Sequence, residues 1–343
     1  LLEPHLVLLR ITHIYISFSY FLFCPMLKNL TSPIIRMPTI HEREQMATIP
    51  TEMPYTFAEV SSCKDKPHEL ARDWKNLKSF DGLTNPRKFC GNTIIYYFQF
   101  KNMLKCRRDS KGYMTLEEWF ADPERKQELW RDTVHRNRRE KAPYPNPTDV
   151  YECHRLNKGA IVAFKSSTAK YIYTLFGAQN VLDPTAGWGG RMLGASSMGI
   201  HYTGIDTNTE MIDAYRGMRD HGYAENCEMI WKSCLDVDFS AKPYDLVLTS
   251  TPYANMELYE HMTPWESDDA FYRDFMLPLM EKLFRETTCP ICMNMSPKMY
   301  KALTTKYQHP PCEKQIDLRQ QLGKQLKTKS QDYIYVWRVL EDS

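Results

Sequence analysis

The sequence predicts an α/β protein built on a mostly parallel sheet, with helices on both faces and a smaller basic region of mixed structure in front. Three observations lead there. From about residue 151 onward, short apolar runs alternate with amphipathic ones. A glycine-rich turn, Asp183-Pro-Thr-Ala-Gly-Trp-Gly-Gly190, follows the first apolar run. Acidic and hydroxyl residues then stand at the ends of later runs, where open α/β sheets place their chemistry. The length of 343 residues suits two domains, or one with an appendage; 43% hydrophobic and 25% charged residues exclude long disorder and a membrane bundle. Ten cysteines are too dilute for a disulfide scaffold. They read as reduced thiols of a protein that is not secreted, in a cytoplasmic or a nucleoid- or nuclear-type compartment.

Residues 1–46 start without methionine and run through the apolar stretch LVLLRITHIYISFSYFLFC. Arg10 and His13 interrupt it and Pro25 ends it, so it is expected to be a leader outside the fold, with a membrane anchor as the alternative. No stable membrane association is expected of the rest. Residues 47–150 form the basic, aromatic region. Within it, NTIIYYFQF (Asn92–Phe100) has the composition of a strand, and a buried helix start is the other reading. Asp122 as N-cap, Pro123 in the first turn and Glu124 at the positive end predict a helix. It runs through Leu129, Trp130 and Val134 to Arg136, Arg138, Arg139 and Lys141, and Tyr144-Pro-Asn-Pro147 stops it as a linker.

Residues 151–343 carry the sheet. Strands are expected at 180–184, 201–206, 227–234, 244–250, 289–296 and 332–340, with helices at 189–199, 209–222 and 269–287. The glycines of the turn, Gly187 and Gly189 among them, let the backbone at Thr185 and Ala186 approach a ligand closely. A dinucleotide site would use the same device, but its G-x-G-x-x-G count fails here at Met192 or Arg191. Asp183 would repel a pyrophosphate and attract an ammonium. Asp206, ending the second strand, is placed to accept from two ribose hydroxyls, with a helix N-cap as its plainer role. An ammonium and a ribose together fit S-adenosyl-L-methionine.

Ser250-Thr251-Pro252-Tyr253 ends the fourth strand. Pro252 holds Thr251 extended, so the Ser250 hydroxyl and Thr251 carbonyl can accept from an NH₂ group while Tyr253 offers a face for stacking a base. Taken alone, the tetrapeptide is a plain turn. The ordered combination resembles the class I S-adenosylmethionine-dependent methyltransferases, in particular the amino-methyltransferases with a D/N/S-P-P-Y motif. The resemblance covers about residues 151–340. It implies a Rossmann-like sheet, DPTAGWGG as cofactor loop, Asp206 as ribose-binding acid, the Cys234–Asp238 turn (with Asp236) against the adenine, and STPY as catalytic motif. Phe164 and Lys165 match a cofactor-pocket segment of some members. Such members mostly methylate adenine N6 or cytosine N4 in DNA, flipping the base out of the duplex. Others act on RNA or protein glutamine. Thr251 in place of the first proline departs from the motif and implies a slower or decayed enzyme.

No sizeable insertion after Tyr253 is available for reading a substrate, so the basic region is the candidate. Residues 72–141 hold seventeen Lys/Arg and ten Asp/Glu, a balance of +7. Arg107, Arg108, Arg136, Arg138 and Arg139, interleaved with Tyr96, Tyr97, Trp119 and Trp130, suit phosphate contacts and base stacking; a solvated face over an aromatic core is the alternative. Lys314–Lys329 could flank the same groove. Residues 206–286 carry seven Lys/Arg and seventeen Asp/Glu, a balance of −10, so the overall +2 hides two opposed halves. The expected partner is nucleic acid, DNA before RNA. Cys289-x-x-Cys292 with His309-x-x-Cys312 has zinc-like spacing, but the first pair sits in an apolar run where burial explains the thiols, and no metal is expected.

Overall fold

A computed structural model describes residues 49–84, 89–106, 114–140, 144–158, 161–254, 264–318 and 333–338, apart from the side chains of 138–140 and 157–158. Its centre is a seven-stranded sheet in the order β3-β2-β1-β4-β5-β7-β6. The strands are β1 Asn180–Asp183, β2 His201–Asp206, β3 Cys227–Trp231, β4 Leu246–Ser250, β5 Ile291–Met295, β6 Lys314–Asp317 and β7 Tyr333–Trp337. The pairs among β1 to β5 are parallel, while β7 runs antiparallel between β5 and β6. This is the Rossmann-like arrangement that the sequence resemblance implies. Strand order reverses between β1 and β4, and the crevice outside their carboxyl ends is the topological switch point.

Alternating burial along the strands builds two cores. Val181, Tyr202, Leu246, Leu248 and Cys292 join one; Leu182, Ile205, Val247, Ile291 and Met293 join the other. With a side-chain period of two, these are the two faces of the sheet. Cys289 belongs to the second core and Cys292 to the first, so the pair is split between faces. Among the described residues no three His, Cys, Asp or Glu side chains group as a metal site.

The second face is covered by α10 (Asp268–Phe271), a π-helical turn (Tyr272–Met276), α11 (Leu277–Glu286) and α12 (Pro297–Lys301). Phe271, Met276, Leu279, Met280 and Leu283 face the sheet. The first face is covered by α7 (Ser166–Phe176), α8 (Gly190–Ser196) and α9 (Ile212–Asp220), together with α2 (Pro67–Ser79) and α3 (Asn92–Leu104) from the N-terminal region. Three further helices, α4 (Leu116–Ala121), α5 (Pro123–Glu140) and α6 (Pro147–Lys158), join through contacts such as Phe100 against Tyr151 at 4.7 Å, and a short α1 spans Phe57–Ser61. Pro50–Ser343 clusters as one compact unit, and the 150/151 boundary falls inside α6. The expected leader, 1–46, lies outside the described residues. No described helix is long and apolar enough to cross a membrane.

The strand expected over Asn92–Phe100 is a helix. Asp73 of α2 is the reason: its carboxylate accepts from the N–H groups of Gly91 (2.9 Å), Thr93 (2.8 Å) and Ile94 (3.3 Å). That cap comes from eighteen or more positions away, so no local signal announces it. Ile95, Gln99 and Met103 then bury one face at helical spacing. Lys170 of α7 closes the C-terminal end of α2, its buried ammonium donating to the carbonyls of Leu77 (2.9 Å) and Lys78 (3.0 Å). Burial pulls the Lys170 pKa down. The Asp122 cap does form, accepting from Glu124 (2.9 Å) and Arg125 (3.1 Å) at the start of α5.

Candidate active site at the switch point

A cavity of about 440 Å³ opens at the carboxyl ends of β1 to β4. Thr185, Ala186 and Gly187 line it after β1, Asp206 ends β2 on its wall, and Ser250, Thr251, Pro252 and Tyr253 line it after β4. Phe164 also reaches it. The sequence expectation thus converges on one space from four segments.

The glycine turn has a geometry that other residues would resist. Gly187 and Gly189 hold φ of +58° and +87°. At Gly190 a Cβ would stand 1.9 Å from the Phe164 carbonyl oxygen, so the absent side chain admits segment 162–165 to the rim. The turn is tied to β2: Ala186 N–H donates to the Ile205 carbonyl at 2.9 Å, and Gly187 N–H to Asp206 Oδ2 at 2.8 Å. Tyr215 of α9 donates to the Gly187 carbonyl at 2.7 Å. Gly189 lies behind this lining, against Tyr215 and Met218.

Asp183 corrects the sequence expectation. It is fully buried and off the cavity wall. Its Oδ2 accepts from Arg191 Nε and from the Tyr202 hydroxyl, each at 2.6 Å. Its Oδ1 accepts from the Thr249 hydroxyl at 3.0 Å and from Thr185 N–H at 3.3 Å. A carboxylate with all these donors organises the site and does not face a ligand's ammonium. Thr185 continues the network, with its hydroxyl 2.6 Å from that of Thr249 and donating to the Ser250 carbonyl at 3.0 Å. The two halves of the site, the glycine turn and STPY, are therefore joined by hydrogen bonds.

Asp206 behaves otherwise. Among the described residues, only Gly187 and Asn208 N–H (2.9 Å) donate to it, and the carboxylate lines the cavity. Burial pushes its pKa up to about 6, although the two N–H donors pull it down. On the opposite wall, the Ser250 hydroxyl pairs with Asn294 Oδ1 at 3.2 Å, and Asn294 Nδ2 donates to the Tyr333 carbonyl at 2.9 Å. The last bond fixes the Asn294 oxygen as acceptor, so Ser250 donates and keeps lone pairs for another group. The Thr251 hydroxyl is buried with no partner among the described residues.

Several expected residues lie elsewhere. Asp236 is exposed and outside the cavity; Lys232, Ser233, Cys234 and Leu235 line it instead. A 3-10 turn at Cys234–Asp236, with Ser233 as its cap, rotates Asp236 away. Lys165 is also outside, its ammonium 4.0 Å from the Phe89 ring centroid. No described residue before Val162 lines the cavity, and Arg136 sits half-buried on α5. Arg107 and Arg108 lie outside the described residues, as do the side chains of Arg138 and Arg139 and most of 314–329. Trp119 and Trp130 are core residues, 3% and 1% exposed, so neither offers a face to a base. Arg191, Trp265, Asp274 and Phe275, all on the wall, carry no local signal along the chain. The last two come from the π-helical turn, a feature frequent at functional sites.

No protein-family model matches the chain, and no curated protein matches it. Solved structures similar to it include an RNA methyltransferase from Salinibacter ruber in complex with S-adenosyl-L-homocysteine, at 14% identity and TM-score 0.34 over 53% of this chain and 96% of that one. A predicted N6-adenine-specific DNA methylase from Listeria monocytogenes is 14% identical, with TM-score 0.38 over 54% and 53% of the two chains. A possible methylase from Clostridium difficile is 13% identical, with TM-score 0.39 over 53% and 54%. The likeness is one of fold.

Proposed function

We propose that this chain is an S-adenosyl-L-methionine-dependent methyltransferase that modifies the exocyclic amine of a nucleic-acid base, adenine N6 of DNA before cytosine N4. The observation that carries the reading is the single cavity joining the glycine turn, Asp206 and Ser250–Tyr253. The donor set suits the cofactor: a two-oxygen acceptor for a ribose diol at Asp206, close backbone approach at Gly187, and a partly apolar wall at Ser233–Leu235 for a purine. When bound, the cofactor supplies an electrophilic methyl group on a sulfonium.

The chain's own residues do the orienting. Ser250 Oγ, its proton directed to Asn294, accepts one amine N–H, and the Thr251 carbonyl accepts the other. Two acceptors on the hydrogens would leave the nitrogen lone pair turned to the methyl group of a bound cofactor. Pro252 stiffens the turn. Tyr253 stacks the base, extruded from a duplex if the substrate is double-stranded. Such an amine needs no nucleophilic side chain. The preference for adenine and for DNA follows the resemblance of the motif; RNA and protein amide are the alternatives. The test is incubation with methyl-labelled cofactor and mixed DNA and RNA. Nucleic acid becomes labelled, and Tyr253→Ala abolishes labelling while retaining S-adenosylhomocysteine binding. Cofactor binding without labelling of any nucleic acid overturns the reading in favour of a protein substrate or a decayed enzyme.

A further inference from the structure

We infer that Arg191 reads the carboxylate at the amino-acid end of the cofactor, while Asp183 serves to hold the guanidinium in place; this rests on the function proposed above. Arg191 is 3% exposed yet lines the cavity. Its Nε is fixed on Asp183 at 2.6 Å, its Nη2 donates to the Thr185 carbonyl, and its guanidinium carbon lies 5.1 Å from the Phe164 ring centroid. Nη1 is left. It has no protein acceptor among the described residues, and it is not sealed from the open space as the buried unpartnered atoms are. A guanidinium on the cavity wall with one edge clamped and one nitrogen uncommitted is a preorganised donor for a planar anion.

The charge balance selects the anion. Asp183 and Arg191 are formally neutral together, and on the rest of the wall Asp206 and Asp274 outweigh Lys232 by one negative charge. A phosphate or pyrophosphate would meet net repulsion there. A zwitterionic amino-acid group would not: its carboxylate takes Nη1, and its ammonium is drawn to the acidic surroundings. The assignment therefore interchanges the roles expected from sequence. The residue that touches the amino-acid end is the arginine, and the aspartate positions it.

The test compares two ligands that differ by one group, S-adenosylhomocysteine and S-adenosyl-3-thiopropylamine, which lacks only the carboxylate. In calorimetric titration the wild-type protein is expected to bind the first about 30-fold more tightly, the scale of one charge-assisted hydrogen bond. Asp183→Asn with Arg191→Gln removes both buried charges together, so neither is stranded. In that double variant the ratio falls to roughly threefold or less, within the spread of a neutral hydrogen bond. Lys232→Met, which removes another cation of the wall, leaves the ratio in place. Equal affinities in the wild type, an undiminished ratio in the double variant, or loss of the ratio in Lys232→Met overturns the assignment. Should the double variant not fold, the wild-type and Lys232→Met arms still decide. Failure of the wild type to bind either nucleoside overturns the cofactor reading itself, an outcome distinct from the others.

Discussion

Asp183 and Asp206 end adjacent strands, and each accepts backbone N–H from the glycine turn or its neighbours. Around Asp183 the fold adds a guanidinium and two hydroxyls, and closes over the result. Around Asp206 the described residues add one more N–H, leaving the carboxylate on a cavity. The difference separates framework from site. A buried charge that is fully paired is expensive to disturb and has nothing left to offer a ligand. One that is only half satisfied carries a raised pKa and keeps acceptor capacity.

Deleting each carboxylate is the sharpest way to break this contrast. Asp183→Ala strands Arg191 in the core, so chemical denaturation is expected to show a loss of about 3–5 kcal/mol. Asp206→Ala, by contrast, is expected to leave stability within about 1 kcal/mol of wild type. Equal losses would erase the distinction. Gly190→Ala drives a methyl group into the Phe164 carbonyl, 1.9 Å from its ideal position. It is expected to cost about 1–3 kcal/mol by the same measurement and to weaken S-adenosylhomocysteine binding as segment 162–165 is displaced.

Burial pushes the Asp206 pKa up to about 6, so the carboxyl is ionised above that pH and accepts from ligand hydroxyls there. Below it the group is protonated and must lose that proton to bind. Affinity for S-adenosylhomocysteine is therefore expected to fall as pH drops from 7 to 5, by about tenfold over the last unit at most. Asp206→Asn should bind about tenfold more weakly at neutral pH and show a flatter profile across this range. The smallest effect is at Thr251, whose buried hydroxyl has no partner among the described residues. Thr251→Val keeps the shape and removes the polar atom, and is expected to raise stability by about 1 kcal/mol in denaturant titration.

Much of the sheet was legible because its signals are local. His201–Asp206 is predicted to the residue, and β4 and β5 within a few positions, since a short apolar run between turn residues has few other uses in an α/β chain. Asp122 declares its helix through its own neighbours. Asn92–Leu104 failed for the opposite reason: β-branched and aromatic residues favour a strand locally, and the cap that decides for a helix comes from Asp73. β6 was hidden as well, because Lys314–Asp317 reads as part of a charged stretch until β7 pairs with it.

By itself the sequence determined the α/β class, the glycine turn, and the placement of Asp206 and Ser250–Tyr253 at strand ends, because periodicity and turn chemistry act over a few residues. Only the tertiary structure decided which carboxylate faces the cavity. Arg191 lies eight positions beyond Asp183, Tyr202 nineteen and Thr249 sixty-six, and none of those separations carries a signal along the chain. It also decided that Trp119 and Trp130 are core and that Asp236 turns outward. Burial and charge pairing are properties of three-dimensional neighbours, and they assign roles to residues whose types the sequence had already supplied.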